Sequence, residues 1–568
     1  MDSRTVKDNA EVHDGVTRRT FLGAGAAGSA ALLAGGFSSI LEAAPGSAGR
    51  SLIWVEKTIP QLQTLMATRR LTSRELTQGY LQRIRDLNPL LGAVIETNPN
   101  AVAIAEHLDK ERRAGVVRGP MHGIPVLLKD NIAVKDKTET TAGSLALERS
   151  KVPADATIVA RLRAAGAVIL GKANLAEWAN FRGFHEGNMF NGWTGRGGFV
   201  RNPYLLSYDP CGSSSGSAVA AAANLCSVAV GSETDGSVVC PAGNNLIVGL
   251  KPTLGLVSQD GIIPIGHSQD TAGPMCRTVT DVAILLNVMR SPFGEVVGHA
   301  LPPDYTAFLH SGAFVGKIIG VDERYLTPDY GGEDDLIAVF QQGVDMMQSL
   351  GATIMPIDSG DPFEYFDAEF LVLLTEFKVQ VAQYLAGLRH TSIRTLADLI
   401  AFNVDHCAAE MKYFGQELFE LAESTSGDLN DPDYLAARAF CLRKSRTEGI
   451  DLALFEVDAI VAPVYSFASS PPAVAGYPSI SIPVGLTPEG KPAGIWMWAG
   501  FLQEPKLLSF AYSLEQALQP RREPQFLGAV PAEPPDAGLC PARPPKPRHA
   551  KGHIKMPHHL GTGKRFRR

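Results

Sequence analysis

Short apolar runs recur along the middle of the chain, separated by segments in which apolar residues follow helical spacing. Apolar runs of this kind, bounded by glycine, proline or charged residues, are typical of strands buried on both faces. The runs that predict strands are residues 123–129, 167–170, 227–230, 318–321, 353–357, 460–464, 480–484 and 495–498. The helical spacing predicts two helices within Trp54–Leu87 and another over Asp155–Ala165, with Asp155 as its N-cap. This alternation predicts an α/β fold with a largely parallel sheet covered on both faces.

The body of the chain, residues 51–527, contains no linker-like stretch and no internal repeat, so we interpret it as one domain. With 45% hydrophobic and 20% charged residues, the 568-residue chain has a globular composition. Its 52 Lys and Arg residues against 59 Asp and Glu residues give a net charge of −7. This charge offers no electrostatic basis for binding nucleic acid, and no nucleic-acid partner is predicted.

The N-terminal segment, residues 1–48, resembles a twin-arginine export signal, because Arg18 and Arg19 precede the mildly apolar run Gly23–Phe37. This run is shorter than the ~20 residues of a stable membrane-spanning helix, so no stable membrane insertion is expected. The signal predicts the twin-arginine export machinery as a partner and a periplasmic or secreted location. Without such a signal, the protein is expected in the cytoplasm.

The C-terminal segment, residues 528–568, is rich in proline and holds nine Lys and Arg residues against two acidic ones. Such a composition cannot bury a core, so it predicts a disordered basic tail. Truncation after Leu527 is therefore expected to leave the activity intact.

The cysteines show neither a Cys-x-x-Cys pair nor zinc-ligand spacing with histidine. They are Cys211, Cys226, Cys240, Cys276, Cys407, Cys441 and Cys540. Export would permit disulfides, but the spacing does not require them, and buried free thiols are favoured. A Gly-x-Gly-x-x-Gly pattern at residues 23–28 follows an arginine pair instead of a strand, so it does not indicate a dinucleotide site.

The candidate chemistry lies in two stretches rich in serine and glycine, Asp209–Ser217 and Gly231–Ala242. Small residues let backbone N–H groups approach a ligand closely, and successive N–H donors can hold an anion. Together with Lys129, which ends a predicted buried strand, these stretches resemble the amidase signature family. Cys211–Ser217 matches the family motif Gly-Gly-Ser-Ser-Gly-Gly-Ser, and Gly231–Ser237 matches Gly-Thr-Asp-Thr-Gly-Gly-Ser.

This resemblance spans Trp54–Leu527 and implies both a fold and a reaction. The further matching segments are residues 171–177, 249–253, 261–264, 270–274, 476–480 and 507–516. The implied fold is a large mixed, mostly parallel sheet with helices on both faces, an α/β/α arrangement. The implied activity is hydrolysis of linear amides without a metal or an organic cofactor.

The resemblance also implies a role for each matching residue. Ser237 corresponds to the nucleophile, Ser213 to the bridging serine that follows a cis peptide bond, and Lys129 to the base. The residues implied for the oxyanion hole are Thr234, Asp235 and Gly236. The residues expected to contact the substrate are Gly212 and Ser214.

The chemistry of Lys129 agrees with the role of a base only if its side chain is neutral. A lysine with its ordinary pKa of ~10.4 is about 0.1% neutral near pH 7.4. Burial can lower a lysine pKa by up to about 3–5 units, and three units would bring it to roughly 7.4. We therefore expect Lys129 to be buried, as its position in the apolar run 123–129 suggests.

The residues after the nucleophile narrow the range of expected amide substrates. Family members that act on tRNA-linked substrates carry an arginine, which can pair with a carboxylate, where this chain has Val239. Thr234–Ala242 and Asn174–Arg182 instead resemble the peptide amidase branch, whose members remove the C-terminal amide of peptides. The expected reaction is hydrolysis of such a carboxamide, or a related one, to carboxylate and ammonia through an acyl-enzyme on Ser237.

Several alternatives stay open. One alternative is a glutaminase of the amidotransferase type that works in a tRNA-dependent complex. The others are a broad aliphatic or aryl amidase and a non-catalytic binding protein. Gly212–Gly216 also fits Gly-x-Ser-x-Gly, the nucleophile elbow of α/β-hydrolases, with Ser214 as nucleophile. That elbow should follow a buried strand, whereas Tyr204–Pro210 has the pattern of a polar loop. The oligomeric state is not predicted.

Overall fold

The computed structural model describes residues 52–185, 189–291 and 299–540. The predicted export signal and residues 541–568 of the predicted tail lie outside these ranges. Within these ranges, none of the helices combines the length and the apolar character needed to cross a membrane.

A large sheet forms the centre of the described part of the chain. Its strands, together with a separate hairpin of β4 and β5, are β1 (Val94–Thr97), β2 (Pro125–Lys129), β3 (Val168–Ala173), β4 (Trp193–Thr194), β5 (Gly198–Phe199), β6 (Val228–Glu233), β7 (Val248–Lys251), β8 (Thr271–Cys276), β9 (Ile318–Val321), β10 (Thr353–Pro356), β11 (Ala459–Pro463), β12 (Ser479–Leu486) and β13 (Pro492–Trp498). The 11-stranded sheet has the order β1-β3-β2-β6-β8-β7-β12-β13-β11-β9-β10.

The sheet confirms the predicted α/β fold and is more antiparallel than predicted. Every residue of β2, β3, β6, β8 and β11 is buried, as expected for strands between two layers of helices. Of the ten neighbouring strand pairs, four are parallel and six are antiparallel. A strand buried on both faces is apolar throughout, whether it runs parallel or antiparallel to its neighbours. The apolar pattern therefore does not reveal where the chain turns back, as it does at residues 487–491 between the antiparallel strands β12 and β13.

Helices pack around this sheet. They are α1 (Ile59–Ala67), α2 (Ser73–Leu91), α3 (Ala101–Arg113), α4 (Thr157–Ala164), α5 (Ser215–Ala222), α6 (Val239–Asn244), α7 (Val279–Met289), α8 (Asp334–Ser349), α9 (Phe366–Gly387), α10 (Leu396–Asp405), α11 (Cys407–Glu410), α12 (Glu417–Ser424), α13 (Pro432–Leu442), α14 (Asp451–Ala453), α15 (Ser470–Ala475) and α16 (Glu504–Leu518). A π-helical segment, Arg443–Ile450, joins α13 to α14. The 3-10 segments are Leu145–Leu147, Glu177–Asn180, Tyr305–Phe308, Glu323–Leu326, Pro328–Tyr330, Pro362–Glu364 and Phe467–Ser469.

The predicted cap of α4 is wrong. Ala156 is the N-cap and makes no side-chain hydrogen bond there. The carboxylate of Asp155 instead accepts a hydrogen bond from Lys135 N at 2.7 Å and one from Arg163 Nε at 2.9 Å. The Asp155 carboxylate therefore binds Lys135 and Arg163 instead of capping α4, and the local spacing of residues could not show this.

The prediction of free thiols is wrong for four cysteines. Disulfides join Cys211 to Cys240 and Cys407 to Cys540, with Cα–Cα distances of 5.9 and 5.7 Å. The linked residues are 29 and 133 positions apart, and only the fold brings them together. The remaining three, Cys226, Cys276 and Cys441, are free and buried, as predicted.

Residues 528–540 contact the domain, which differs from the disorder predicted for the whole of 528–568. Besides the Cys540 disulfide, the Glu533 carboxylate accepts a hydrogen bond from Tyr413 Oη at 2.6 Å. Ala537 N donates to Lys412 O at 2.8 Å. These few contacts hold in place a segment that has no hydrophobic core of its own. They could not be predicted from the amino-acid composition of the segment. The division of the chain into three segments stays a prediction.

Candidate active site

Neighbouring parallel strands bring the two halves of the site to one edge of the sheet. In β2 and β6, Leu128 lies opposite Val230, so the carboxyl ends of both strands meet at that edge. Lys129 is the last residue of β2, and Glu233 is the last residue of β6. The loop 234–238 follows directly and leads into α6.

Lys129 is fully buried and contacts Ser213, the residue to which the family resemblance assigns the bridging role. Its Nζ donates hydrogen bonds to Ser213 Oγ at 2.7 Å, and to Ser232 O and Ser232 Oγ, each at 3.0 Å. Burial lowers the pKa of Lys129 to about 7, while the carboxylates of Asp270 and Glu233 act in the opposite direction. A substantial fraction of this side chain is therefore neutral at neutral pH and able to accept a proton.

Ser213 follows a cis peptide bond from Gly212, which agrees with the family resemblance. A Cβ on Gly212 would lie 2.5 Å from Asn191 Oδ1 and 2.9 Å from Asn180 Nδ2, so a larger residue would have to displace these amide side chains. Gly212 also lines the pocket described below, in line with the predicted substrate contact.

Ser214 does not line this pocket. Its Oγ donates to Ser232 O at 3.0 Å and accepts a hydrogen bond from Ser232 N at 3.2 Å, and the residue is fully buried. The predicted substrate contact of Ser214 therefore has no support in this geometry. A nucleophile elbow must expose its serine after a strand, so the geometry also opposes that alternative.

Glu233 organises the loop around Ser237, a role that the sequence analysis missed. Its carboxylate accepts hydrogen bonds from Gly236 N at 3.0 Å, Val238 N at 2.7 Å and Val239 N at 3.0 Å. These donors flank Ser237 on both sides, so one buried carboxylate shapes the whole turn. Glu233 occupies the position of the Asp in the family motif, and that acidic residue was the available signal.

The predicted oxyanion loop is anchored by its side chains. Thr234 Oγ1 donates to Asp270 Oδ1 at 2.5 Å, and Asp235 Oδ1 accepts a hydrogen bond from Ser469 Oγ at 2.6 Å. Burial raises the pKa of Asp270 to about 7. Neither Asp270 nor Ser469 was singled out from the sequence, because both come from distant segments.

The backbone donors of this loop divide into two groups. Gly236 N, predicted for the oxyanion hole, donates to Glu233 instead. The N–H groups of Thr234, Asp235 and Ser237 have no hydrogen-bond acceptor among the described residues. They are the donors that remain available for an oxyanion.

Ser237 lies in an open pocket with a cavity volume of about 150 Å³. The apolar lining residues are Ala179, Phe181, Met189, Cys211, Cys240, Ile265, Leu373, Phe467 and Trp496. The remaining lining residues are Asn180, Asn191, Gly212, Thr234, Asp235, Gly236, Ser237, Gly331, Tyr465, Ser466 and Ser469. Most of the exposed surface of the pocket is apolar, and its polar edge follows the loop of Ser237.

Ser213 and Ser237 meet through their neighbours. Ser214 N donates to Ser237 O at 3.2 Å, which ties the two serine-rich loops together. No hydrogen bond joins the hydroxyl groups of Ser213 and Ser237 in the described residues. The catalytic roles of Lys129, Ser213 and Ser237 therefore stay predictions that the geometry is compatible with. Across the described ranges, no three His, Cys, Asp or Glu side chains are grouped so as to hold a metal ion.

Comparisons with known proteins define the class of this enzyme. The model of the Amidase family matches residues 75–470. The chain belongs to the amidase family and is an amide-hydrolysing enzyme.

The similar proteins include a peptide amidase. The X-ray structure of native peptide amidase from Stenotrophomonas maltophilia shares 47% sequence identity and a TM-score of 0.77, covering 83% of this chain and 99% of that one. A protein of Arabidopsis thaliana that bears the name "probable amidase" is 40% identical, covering 83% of this chain and 92% of its own length. A glutamyl-tRNA(Gln) amidotransferase component from Thermoanaerobacter pseudethanolicus is 32% identical, with 83% and 99% covered.

Proposed function

We propose that this enzyme hydrolyses the C-terminal carboxamide of peptides, or a closely related amide, to carboxylate and ammonia. The observation that carries the proposal is the 2.7 Å contact of the buried Lys129 with Ser213, beside the pocket that holds Ser237. The similarity to a peptide amidase and the apolar pocket walls support an acyl group larger than that of a simple amide.

The proposed mechanism moves one proton along two hydroxyl groups. Ser237 attacks the amide carbon while its proton passes to Ser213, whose own proton passes to neutral Lys129. The N–H groups of Asp235 and Ser237 stabilise the oxyanion. The proton returns to the leaving nitrogen, the C–N bond breaks and ammonia departs. Water then attacks the acyl-enzyme with the same proton relay, which releases the carboxylic acid and restores Ser237.

The test is the conversion of a C-terminally amidated peptide to its free acid, followed by mass spectrometry. The wild type is expected to convert the peptide, and Ser237→Ala is expected to lose at least ~10⁴-fold in kcat because it removes the nucleophile. Ser445→Ala is the matched control: this serine is buried, its Oγ donates to Cys441 O at 2.8 Å, and it is not among the residues that line the pocket. Fast turnover of simple aliphatic or aryl amides without peptide conversion would discard the peptide substrate and favour a broad amidase.

The second candidate function is that of a glutaminase within a tRNA-dependent complex, favoured by the similarity to the glutamyl-tRNA(Gln) amidotransferase. Val239 opposes it: the residue is buried, and Trp496 Nε1 donates to Val239 O at 3.2 Å. With no arginine at this position, an acidic acyl group has no charge partner there. We expect no ammonia release from glutamine in an enzyme-coupled assay, and rapid release would support the glutaminase.

We also propose that the protein is exported by the twin-arginine route. The two disulfides, Cys211–Cys240 and Cys407–Cys540, support an oxidising compartment. Replacing Arg18 and Arg19 together with lysine is expected to leave the protein in the cytoplasm, as measured by cell fractionation and immunoblotting. Unchanged fractionation of this variant would contradict the export signal.

A further inference from the structure

A disulfide connects the two loops that carry the serines of the site. Cys211 lies two residues before Ser213, and Cys240 lies three residues after Ser237. Both cysteines line the substrate pocket and are otherwise buried in an apolar cluster that includes Trp496. The bond is thus part of the site itself, unlike the Cys407–Cys540 bond, neither of whose cysteines lines this pocket.

Each half of the disulfide is rigidly attached to its own serine. On one side, Cys211 N donates to Asp209 Oδ1 at 2.8 Å, and Cys211 O accepts a hydrogen bond from Ser215 Oγ at 2.5 Å. These bonds hold Cys211 across the turn that contains Ser213. A displacement of Cys211 therefore displaces Ser213.

On the other side, Cys240 N donates to Gly236 O at 2.8 Å. This bond spans Ser237, and Glu233 holds the same turn from within. A displacement of Cys240 is therefore transmitted to Ser237.

Non-covalent links between the two segments lie both far from the reacting serines and beside them. Asn245 Nδ2 donates to Pro210 O at 2.9 Å, and Asn244 Nδ2 donates to Asp209 O at 3.1 Å. Both asparagines lie at the far end of α6. Close to the serines, Ser214 N donates to Ser237 O at 3.2 Å, and Ser214 and Ser232 exchange two hydrogen bonds. Among the described residues, the disulfide adds the covalent link between these two segments.

We propose that Cys211 and Cys240 are positioning residues for the reaction: their disulfide holds Ser213 at the distance from Ser237 that proton transfer requires. The inference rests on the proposed serine chemistry of this site. A misplacement of about 1 Å can cost about 10²-fold in rate, so a bond that fixes the separation of two relay groups acts mainly on kcat.

Reduction offers a direct way to open the bond. A dithiol such as dithiothreitol transfers two electrons and two protons to the Cys211–Cys240 pair, giving two thiols and a cyclic disulfide of the reagent. Both cysteines line the pocket and keep 5% and 8% of their surface exposed, so we expect the reagent to reach the bond from there.

The experiment compares two double variants of the full chain. Cys211→Ala/Cys240→Ala removes the bond at the site, and Cys407→Ala/Cys540→Ala removes the distant bond as the matched control. The first variant is expected to lose at least ~10-fold in kcat on an amide substrate with less than a ~3-fold change in KM. The control is expected to keep its kcat, and dithiothreitol added to this control is expected to reproduce the loss, because only the Cys211–Cys240 disulfide remains in it. Reoxidation should restore the rate.

A second readout separates this inference from the proposed substrate. The rate at which a fluorophosphonate probe labels Ser237 depends on the relay and not on a peptide substrate, and it should fall with kcat in Cys211→Ala/Cys240→Ala. If wild-type Ser237 is labelled but no peptide amide is hydrolysed, only the substrate assignment fails. Unchanged labelling and kcat after loss of the bond, an equal loss in the control variant, or no labelling of the wild type would each overturn the inference.

Discussion

The charge of one lysine sets the pH dependence of the proposed reaction. Burial lowers the pKa of Lys129 to about 7, and Lys129 acts as a base only in its neutral form. As the pH falls below about 7, the protonated fraction grows, so kcat/KM is expected to fall by about tenfold per pH unit. Above about 7, the side chain is mostly neutral and the rate should level off. Steady-state rates measured from pH 5 to 9 at constant ionic strength check this profile; a rate that falls on going from pH 6 to 8 would contradict it.

Substitutions at Lys129 test the same point independently. Lys129→Met removes the base and is expected to lower kcat by about 10²- to 10⁴-fold. Lys129→Arg keeps a positive charge that is not lost near neutral pH, so it should be equally inactive. Circular dichroism of both variants serves as the folding control. Activity of Lys129→Arg above a tenth of the wild type would show that the charge, and not the neutral amine, is required.

At the scale of single residues, candidate site residues could be predicted where a family motif assigns a chemical role to their position. Lys129, Ser213 and Ser237 stand at motif positions, and the structure brings Lys129 against Ser213. Asp270 and Ser469 were missed as partners of the loop, because a hydrogen bond across 36 or 234 positions leaves no local pattern.

At the scale of elements, the turn after β6 depends on one buried carboxylate. The Glu233 carboxylate accepts hydrogen bonds from three backbone N–H groups around Ser237. A glutamine in its place would replace one acceptor oxygen by an NH₂ group, which cannot accept these hydrogen bonds. Glu233→Gln is therefore expected to lower kcat by about 10²-fold, comparable to the loss of one oxyanion donor, with a smaller change in KM. Steady-state kinetics at pH 8 check this expectation.

Glu504→Gln is the matched control for Glu233→Gln. Glu504 is also buried, but its carboxylate bonds Thr253 N at 2.6 Å, away from the loop of Ser237. This variant should lose thermal stability and keep its kcat. Equal losses of kcat in both variants would indicate that burying any altered carboxylate disturbs the fold, and that Glu233 has no special role.

The elements themselves were predictable where burial determines their pattern. The strands near residues 125, 168, 228 and 318 appear at the predicted positions, because a strand buried on both faces must be apolar throughout. Strand direction was not predictable, since the same pattern serves parallel and antiparallel neighbours. The cap of α4 was mispredicted because Lys135 and Arg163 compete for Asp155.

At the scale of the whole molecule, the disulfides became visible only through the fold. Cysteines 29 and 133 positions apart carry no pairing signal in their spacing. The fold places their Cα atoms within 6 Å, and the Cys407–Cys540 bond links the segment around Cys540 to α11. The disorder predicted for residues 528–540 from their composition alone is therefore not what the fold shows.

The fastened segment 528–540 leads to the last prediction, on stability. Truncation after Leu527 removes the Cys407–Cys540 bond, and losing one disulfide of this loop length costs about 2–4 kcal/mol. For a domain of this size, that free energy corresponds to a fall in Tm of about 2–4 °C, measured by differential scanning calorimetry. The activity at 25 °C should stay intact, because Ser237 and its loop do not contact the segment. Truncation after Cys540 keeps the disulfide and is the control that should retain the wild-type Tm. Loss of turnover at 25 °C in the shorter truncation alone would mean that the segment supports the pocket, through residues 410–414 and their contact with Arg182.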